Sequence, residues 1–197
     1  MSVYHIIAHK IVNILVGKND VLEEQKNIWV YGTEILLQSF VTAISVLIVG
    51  GIFNQLIGTI VFLILFCLIR QNAGGYHAES VLGCYIFFML SYFVILFLVY
   101  MFGIDWQLNK TGIFIFVLLN IIIMLLAPVD TKNKRLEPNE KLYYRSRSYV
   151  FLFIEIVLYV LLIKVKLYSL AVWIYYVVSL ESVFLILQFI KDKGDNK

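Results

Sequence analysis

Six apolar segments dominate the chain, each near the ~20 residues an α-helix needs to cross a bilayer. They fall at about 32–53, 56–70, 81–103, 112–129, 149–166 and 168–190. Runs such as Phe114-Ile115-Phe116-Val117-Leu118-Leu119 do not alternate polar with apolar residues, which argues against the strands of a transmembrane barrel. Of the 197 residues 61% are hydrophobic, against about 45–50% in a soluble domain. Two prolines and 11 glycines leave few points at which a long helix would break. The expected fold class is therefore all-α, a polytopic membrane helical bundle of about six transmembrane segments.

An N-terminal interfacial amphipathic helix is expected to precede the bundle. Val3, Ile7, Ile11 and Ile14 or Leu15 recur at helical spacing, with His5, His9 and Asn13 on another face. Lys18-Asn19-Asp20 and Glu23-Glu24-Gln25-Lys26 read as a polar connection. The whole chain, 1–197, reads as one integral membrane domain: helix and linker over 1–30, bundle over 31–190, tail over 191–197. Asn54-Gln55 and Lys164-Val165-Lys166 are short enough to close helical hairpins. The second segment is short for a span and is expected to tilt or be partly re-entrant. No cleavable signal sequence is read at the N-terminus.

Positive charge sets the orientation. With the N-terminus in the cytoplasm, only Lys110, Lys164 and Lys166 lie outside, leaving 13 of the 16 Lys and Arg residues inside. Both termini are then cytoplasmic, at the inner face of a cell membrane. The loop from Asp130 to Ser148 is expected to set topology and to meet anionic lipid headgroups.

The polar interruption between the second and third segments is the richest in chemistry. It reads Gly74-Gly75-Tyr76-His77-Ala78-Glu79-Ser80-Val81-Leu82-Gly83-Cys84. A cysteine is a good nucleophile as its thiolate, and a nearby imidazole or a helix N-terminus favours that form. Ser80 is placed to cap a helix beginning at Val81, with Cys84 in its first turn. A continuous helix would hold His77 ~10 Å from Cys84 along the axis, too far for proton transfer. The pair works only if Gly74-Gly75 turn the chain so that the imidazole folds back over the helix start.

Glu79, Asn72, Gln71 and Glu34 are candidates to orient the imidazole. Arg70 is either a snorkelling cation or an anchor for an acidic group of a substrate. At membrane depth, Glu155 and Glu181 are costly charges, and Gln38 and Asn120 suit helix–helix contacts. Glu34 and Arg70 lie at similar depth and are expected to pair. His5 and His9, four residues apart, are weak evidence for a metal; no metal or other cofactor is expected, and no nucleic acid.

Arg70-Gln71-Asn72-Ala73-Gly74-Gly75-Tyr76-His77-Ala78, with Cys84 seven residues beyond the histidine, resembles the accessory gene regulator protein B (AgrB) family of bacterial quorum-sensing peptidases. Ala127-Pro128-Val129-Asp130-Thr131-Lys132-Asn133-Lys134-Arg135-Leu136 is also similar to that family, and the resemblance covers almost the whole chain. It implies a membrane cysteine endopeptidase with Cys84 as nucleophile and His77 as general base and acid. Its substrate would be an AgrD-like propeptide at the inner leaflet. Loss of the propeptide's C-terminal tail would leave an acyl-enzyme that closes to a thiolactone or lactone signal peptide. Glu34, Arg70, Gly75 and Glu79 are the further candidates for orienting or substrate-binding roles, and a homodimer is a fair expectation. The competing reading is a non-enzymatic peptide or small-solute transporter built on Glu155, Glu181 and Arg70. A thiol oxidoreductase using Cys67 and Cys84 fits less well, since neither lies in a CxxC.

Overall fold

A computed structural model describes residues 3–16, 25–76, 80–102, 105–129 and 136–195. Among these residues there are helices and no strands. The order is α1 (Val3–Val16), α2 (Lys26–Ile52), α3 (Leu56–Ala73), α4 (Val81–Phe102), α5 (Asp105–Leu108), α6 (Lys110–Leu126), α7 (Pro138–Lys164) and α8 (Tyr168–Asp195). Of these, α2, α3, α4, α7 and α8 are long and apolar enough to cross a membrane.

The second segment's helix, α3, runs on past residue 70 to Ala73 and reaches 18 residues, and α6, the fourth segment, has 17. Ala127 turns extended (φ −75°, ψ 141°) because the following Pro128 disfavours a helical residue before it. The fifth segment begins about three turns earlier than expected, at Pro138 rather than 149. Proline suits a first helical position, and Glu137 and Glu140 form a reciprocal capping box there. Much of the basic connection is thus a helical extension of α7 carrying Lys141, Arg145 and Arg147. Lys132, Lys134 and Arg135 lie outside the described residues.

The two hairpins form as expected. Asn54 (φ 55°) turns α2 into α3, and Lys166 (φ 62°) turns α7 into α8. The last helix, α8, is the centre of the bundle and packs against α3, α4, α6 and α7. Trp173, Tyr175, Val177, Val178, Glu181, Ser182 and Leu185 are all buried along it. Gly58 lets α3 come close to α8: a methyl group there would overlap the Trp173 indole. Thr59 and Tyr92 share a buried 2.6 Å hydrogen bond that ties α3 to α4.

The α1 helix lies along the N-terminal half of α2. Ala8 and Val12 pack on Val30 and Leu37 in a cluster of their own. The stripe Val3, Ile7, Ile14 and Leu15 is exposed, so the protein contact is made by another face than the predicted apolar one. The polar connection at Lys18-Asn19-Asp20 lies outside the described residues.

Candidate active site

The α3 helix ends in an arginine and a double glycine, and both features are used at once. Gly74 (φ 78°) and Gly75 (φ 127°) take left-handed backbone that side chains other than glycine resist. The positive φ angles that the sequence reading asked of these two glycines are therefore present, in a turn described up to Tyr76. This turn points two carbonyls back at Arg70: Nη1 donates to the Gly74 carbonyl at 3.0 Å and Nη2 donates to that of Tyr76. A side chain on Gly75 would run into the Arg70 guanidinium, with its Cβ 3.0 Å from Cζ and 3.4 Å from Phe184 Cβ. Glycine at 75 thus serves both the backbone angle and the close approach.

The loop docks on α8 and on the start of α4. Tyr76 donates its backbone N–H to the Phe184 carbonyl at 3.1 Å. Its ring lies 5.1 Å from the Phe87 ring, which in turn lies 5.2 Å from that of Phe184. Lys191 covers the Tyr76 ring with its ammonium 5.3 Å from the centroid. On the far side of the loop, Val129 donates to the Ala73 carbonyl at 3.0 Å.

The helix start expected at Val81 is also present. Ser80 Oγ accepts from Gly83 N–H at 3.0 Å, and the Ser80 carbonyl accepts from Cys84 N–H at 2.9 Å. Cys84 sits in this first turn, partly buried. Arg70 interacts electrostatically with Cys84 as well as with Glu181. Cys84 thus lies at the N-terminal end of a helix, with a cation among its electrostatic partners. His77, Ala78 and Glu79 lie outside the described residues.

Arg70 is where one expectation fails. Its acidic neighbour is Glu181, Nη1 to Oε2 3.9 Å, and not Glu34. Glu34 on α2 instead meets His5 of α1 at 3.1 Å. Depth along a helix set the predicted pair, but azimuth around the bundle decides which charges meet. Phe184 and Phe66 flank the guanidinium at 4.9 and 5.9 Å from their centroids. Among the other candidates for an orienting group, Asn72 spends its amide on the Leu68 carbonyl of its own helix at 2.7 Å, and Gln71 is exposed. Sequence reasoning missed Tyr76, Phe184 and Lys191 as supports of the loop. The signal for Glu181 was present, since a carboxyl half-way along an apolar helix needs a cation.

The His5 and His9 rings are 6.3 Å apart, and His9 Nδ1 accepts from Asn13 at 3.0 Å. Among the described residues no three His, Cys, Asp or Glu side chains gather as a metal-holding group.

Long apolar helices around a partly buried arginine, with a glycine loop docked beside a capped cysteine-bearing helix, define a multi-pass membrane protein with a polar site at one end of its bundle. A family model described as Accessory gene regulator B matches residues 8–189. The chain belongs to that family, which ties it to the accessory gene regulator system of quorum sensing. It is similar to two proteins of Clostridium perfringens named only as AgrB-like. With AgrB-like protein 2 of strain 13 it is 32% identical over 164 residues, 79% of this chain and 75% of the relative. With the AgrB-like protein of strain SM101 it is 34% identical over 142 residues, 68% of this chain and 66% of the relative. No solved structure matches.

Proposed function

We propose that the chain is a single-domain membrane cysteine endopeptidase that trims an AgrD-like propeptide and promotes its cyclisation. The observation that carries this reading is the Tyr76–Phe87 contact at 5.1 Å. The residue before His77 lies against a residue one turn beyond Cys84, whereas a straight helix would separate positions 76 and 87 by about 16 Å. The loop thus comes near the N-terminal part of α4, which supports a His77–Cys84 pair.

In this reading the Cys84 thiolate attacks the carbonyl carbon at the end of the future signal peptide. The C–N bond to the tail breaks, His77 supplies the proton to the departing amine, and a thioester remains on Cys84. A thiol or hydroxyl within the substrate then gives its proton to His77 and attacks the thioester carbonyl. The ring closes and Cys84 leaves as thiolate. Ring closure has to outrun hydrolysis, which a water-poor site between apolar helices favours. The tethered nucleophile also gains from proximity. Forming the first thioester from an amide is uphill, so removal of tail and product pulls the sequence forward. The distribution of basic residues supports a cytoplasmic position for both termini and for the site, where a membrane-held propeptide would arrive.

Purified protein in liposomes, given a candidate propeptide and followed by intact-mass spectrometry, tests the reading. Wild type is expected to release the tail and to carry an acyl adduct, and Cys84→Ala and His77→Ala to do neither. Equal processing by Cys84→Ala would sink the mechanism.

A further inference from the structure

Glu181 has no part in the chemistry just described, yet it is a costly side chain to keep in the bundle. It is fully buried in the middle of α8, and neither carboxyl oxygen has a hydrogen-bond partner among the described residues. A carboxylate held in apolar surroundings needs a cation nearby. Arg70 is that cation, at 3.9 Å. The guanidinium in turn holds the Gly74 and Tyr76 carbonyls. Three residues further along α8, on the same face, Phe184 supplies the ring beneath the guanidinium and the carbonyl that accepts from Tyr76.

We propose that Glu181 is a positioning residue: through Arg70 it holds the loop at residues 74–76 on α8, and so sets the approach of the following histidine to Cys84. The consequence for catalysis rests on the peptidase reading above, while the seating of the loop does not. Arg70 has three demands on its fork, two carbonyls and one carboxylate, all on one side of the bundle. Without the carboxylate it is an uncompensated, largely enclosed cation, which gains by turning toward water and thereby releases the loop. Glu155 on α7 is a second buried carboxyl without a hydrogen-bond partner among the described residues. Its acidic neighbour is Glu181, and it has no recorded interaction with Arg70. Its loss removes a like charge beside Glu181, which leaves the Arg70 pair intact or strengthens it, so Glu155→Gln serves as a control that should not loosen the loop.

The full-length protein in nanodiscs is compared by amide exchange over residues 71–76 and by tail release from the propeptide. Glu181→Gln is expected to exchange the Tyr76 amide roughly tenfold faster and to lower kcat by about 10–100-fold with KM changed little, as misplacement of a catalytic group does. Glu181→Asp should recover part of both, and Glu155→Gln should match wild type in both. Arg70→Gln with Glu181→Gln should be no slower than Arg70→Gln alone, where independent effects would multiply. If Glu181→Gln is not monodisperse, Glu181→Asp and the double variant carry the comparison. Wild-type exchange over 71–76 in Glu181→Gln, or equal loosening by Glu155→Gln, would overturn the proposal. Loosening by Glu181→Gln alone, in a protein whose wild type cleaves no propeptide, would uphold the seating and sink the peptidase reading instead.

Discussion

Gly75→Ala tests how tightly the loop and Arg70 are fitted together. The backbone at 75 has φ 127°, which costs a residue bearing a Cβ about 1–3 kcal/mol. The new methyl group also enters the space of the Arg70 guanidinium, with Phe184 Cβ 3.4 Å away on another side. Arginine is flexible and can swing aside, but in doing so it leaves a carbonyl of the loop. A hydrogen bond from a charged donor contributes about 1.5–3 kcal/mol. With the lower end of each contribution, the seated loop loses about 2.5 kcal/mol relative to the unseated one. At about 1.4 kcal/mol per tenfold, its population relative to unseated forms falls roughly 60-fold. The bundle core around Trp173 and Phe62 is untouched, so the melting temperature in detergent should move little. The assay is single-turnover tail release in liposomes, with amide exchange over 71–76 as the structural readout. Tail release within about threefold of wild type, with unchanged exchange, would refute the reasoning.

Other substitutions separate the site from the scaffold. Cys67 is exposed on α3 while Cys84 is half-buried in the first turn of α4; Cys67→Ala should keep tail release within about twofold, and a large loss would reopen a role for both thiols. Gly58→Ala forces a methyl group into the Trp173 indole and should cost about 1–3 kcal/mol, read as a lower melting temperature in detergent. The His5–Glu34 contact is partly solvated and should be worth no more than about 1 kcal/mol. Glu34→Gln should therefore speed amide exchange in α1 while leaving α3 and α8 protected; protection of α1 unchanged would mean that Ala8 and Val12 alone hold it.

Much of the architecture was legible because hydrophobicity is one-dimensional along a span. Long apolar runs, the short Asn54-Gln55 turn and the Ser80 cap can each be read without knowing any neighbour. The errors arose where an end or a partner depends on more than the local run. The start of α7 at Pro138 follows from a cap and a proline in a polar stretch, not from hydropathy. The Arg70 partner was misassigned because sequence gives the height of a charge in the membrane but not its angle around the helix. Glu34 has the right height, yet it faces α1. Glu181 was legible as a costly charge, and only the packing of α8 on α3 shows which cation answers it.

The loop at residues 74–76 also explains why an arginine stands at the end of α3. Where chain leaves a helix beside an apolar bundle, its backbone groups have little water to turn to and must be satisfied by protein. Gly74 N–H is taken by the Arg70 carbonyl and Tyr76 N–H by the Phe184 carbonyl. The Gly74 and Tyr76 carbonyls are both left to the one guanidinium. A planar fork can serve two carbonyls and still face a carboxylate, whereas an ammonium presents a single point of charge. The irregular backbone leading toward residue 77 is thus held on the bundle by one guanidinium and by the Phe184 carbonyl, so that a change at Arg70 or at α8 must be felt at the loop.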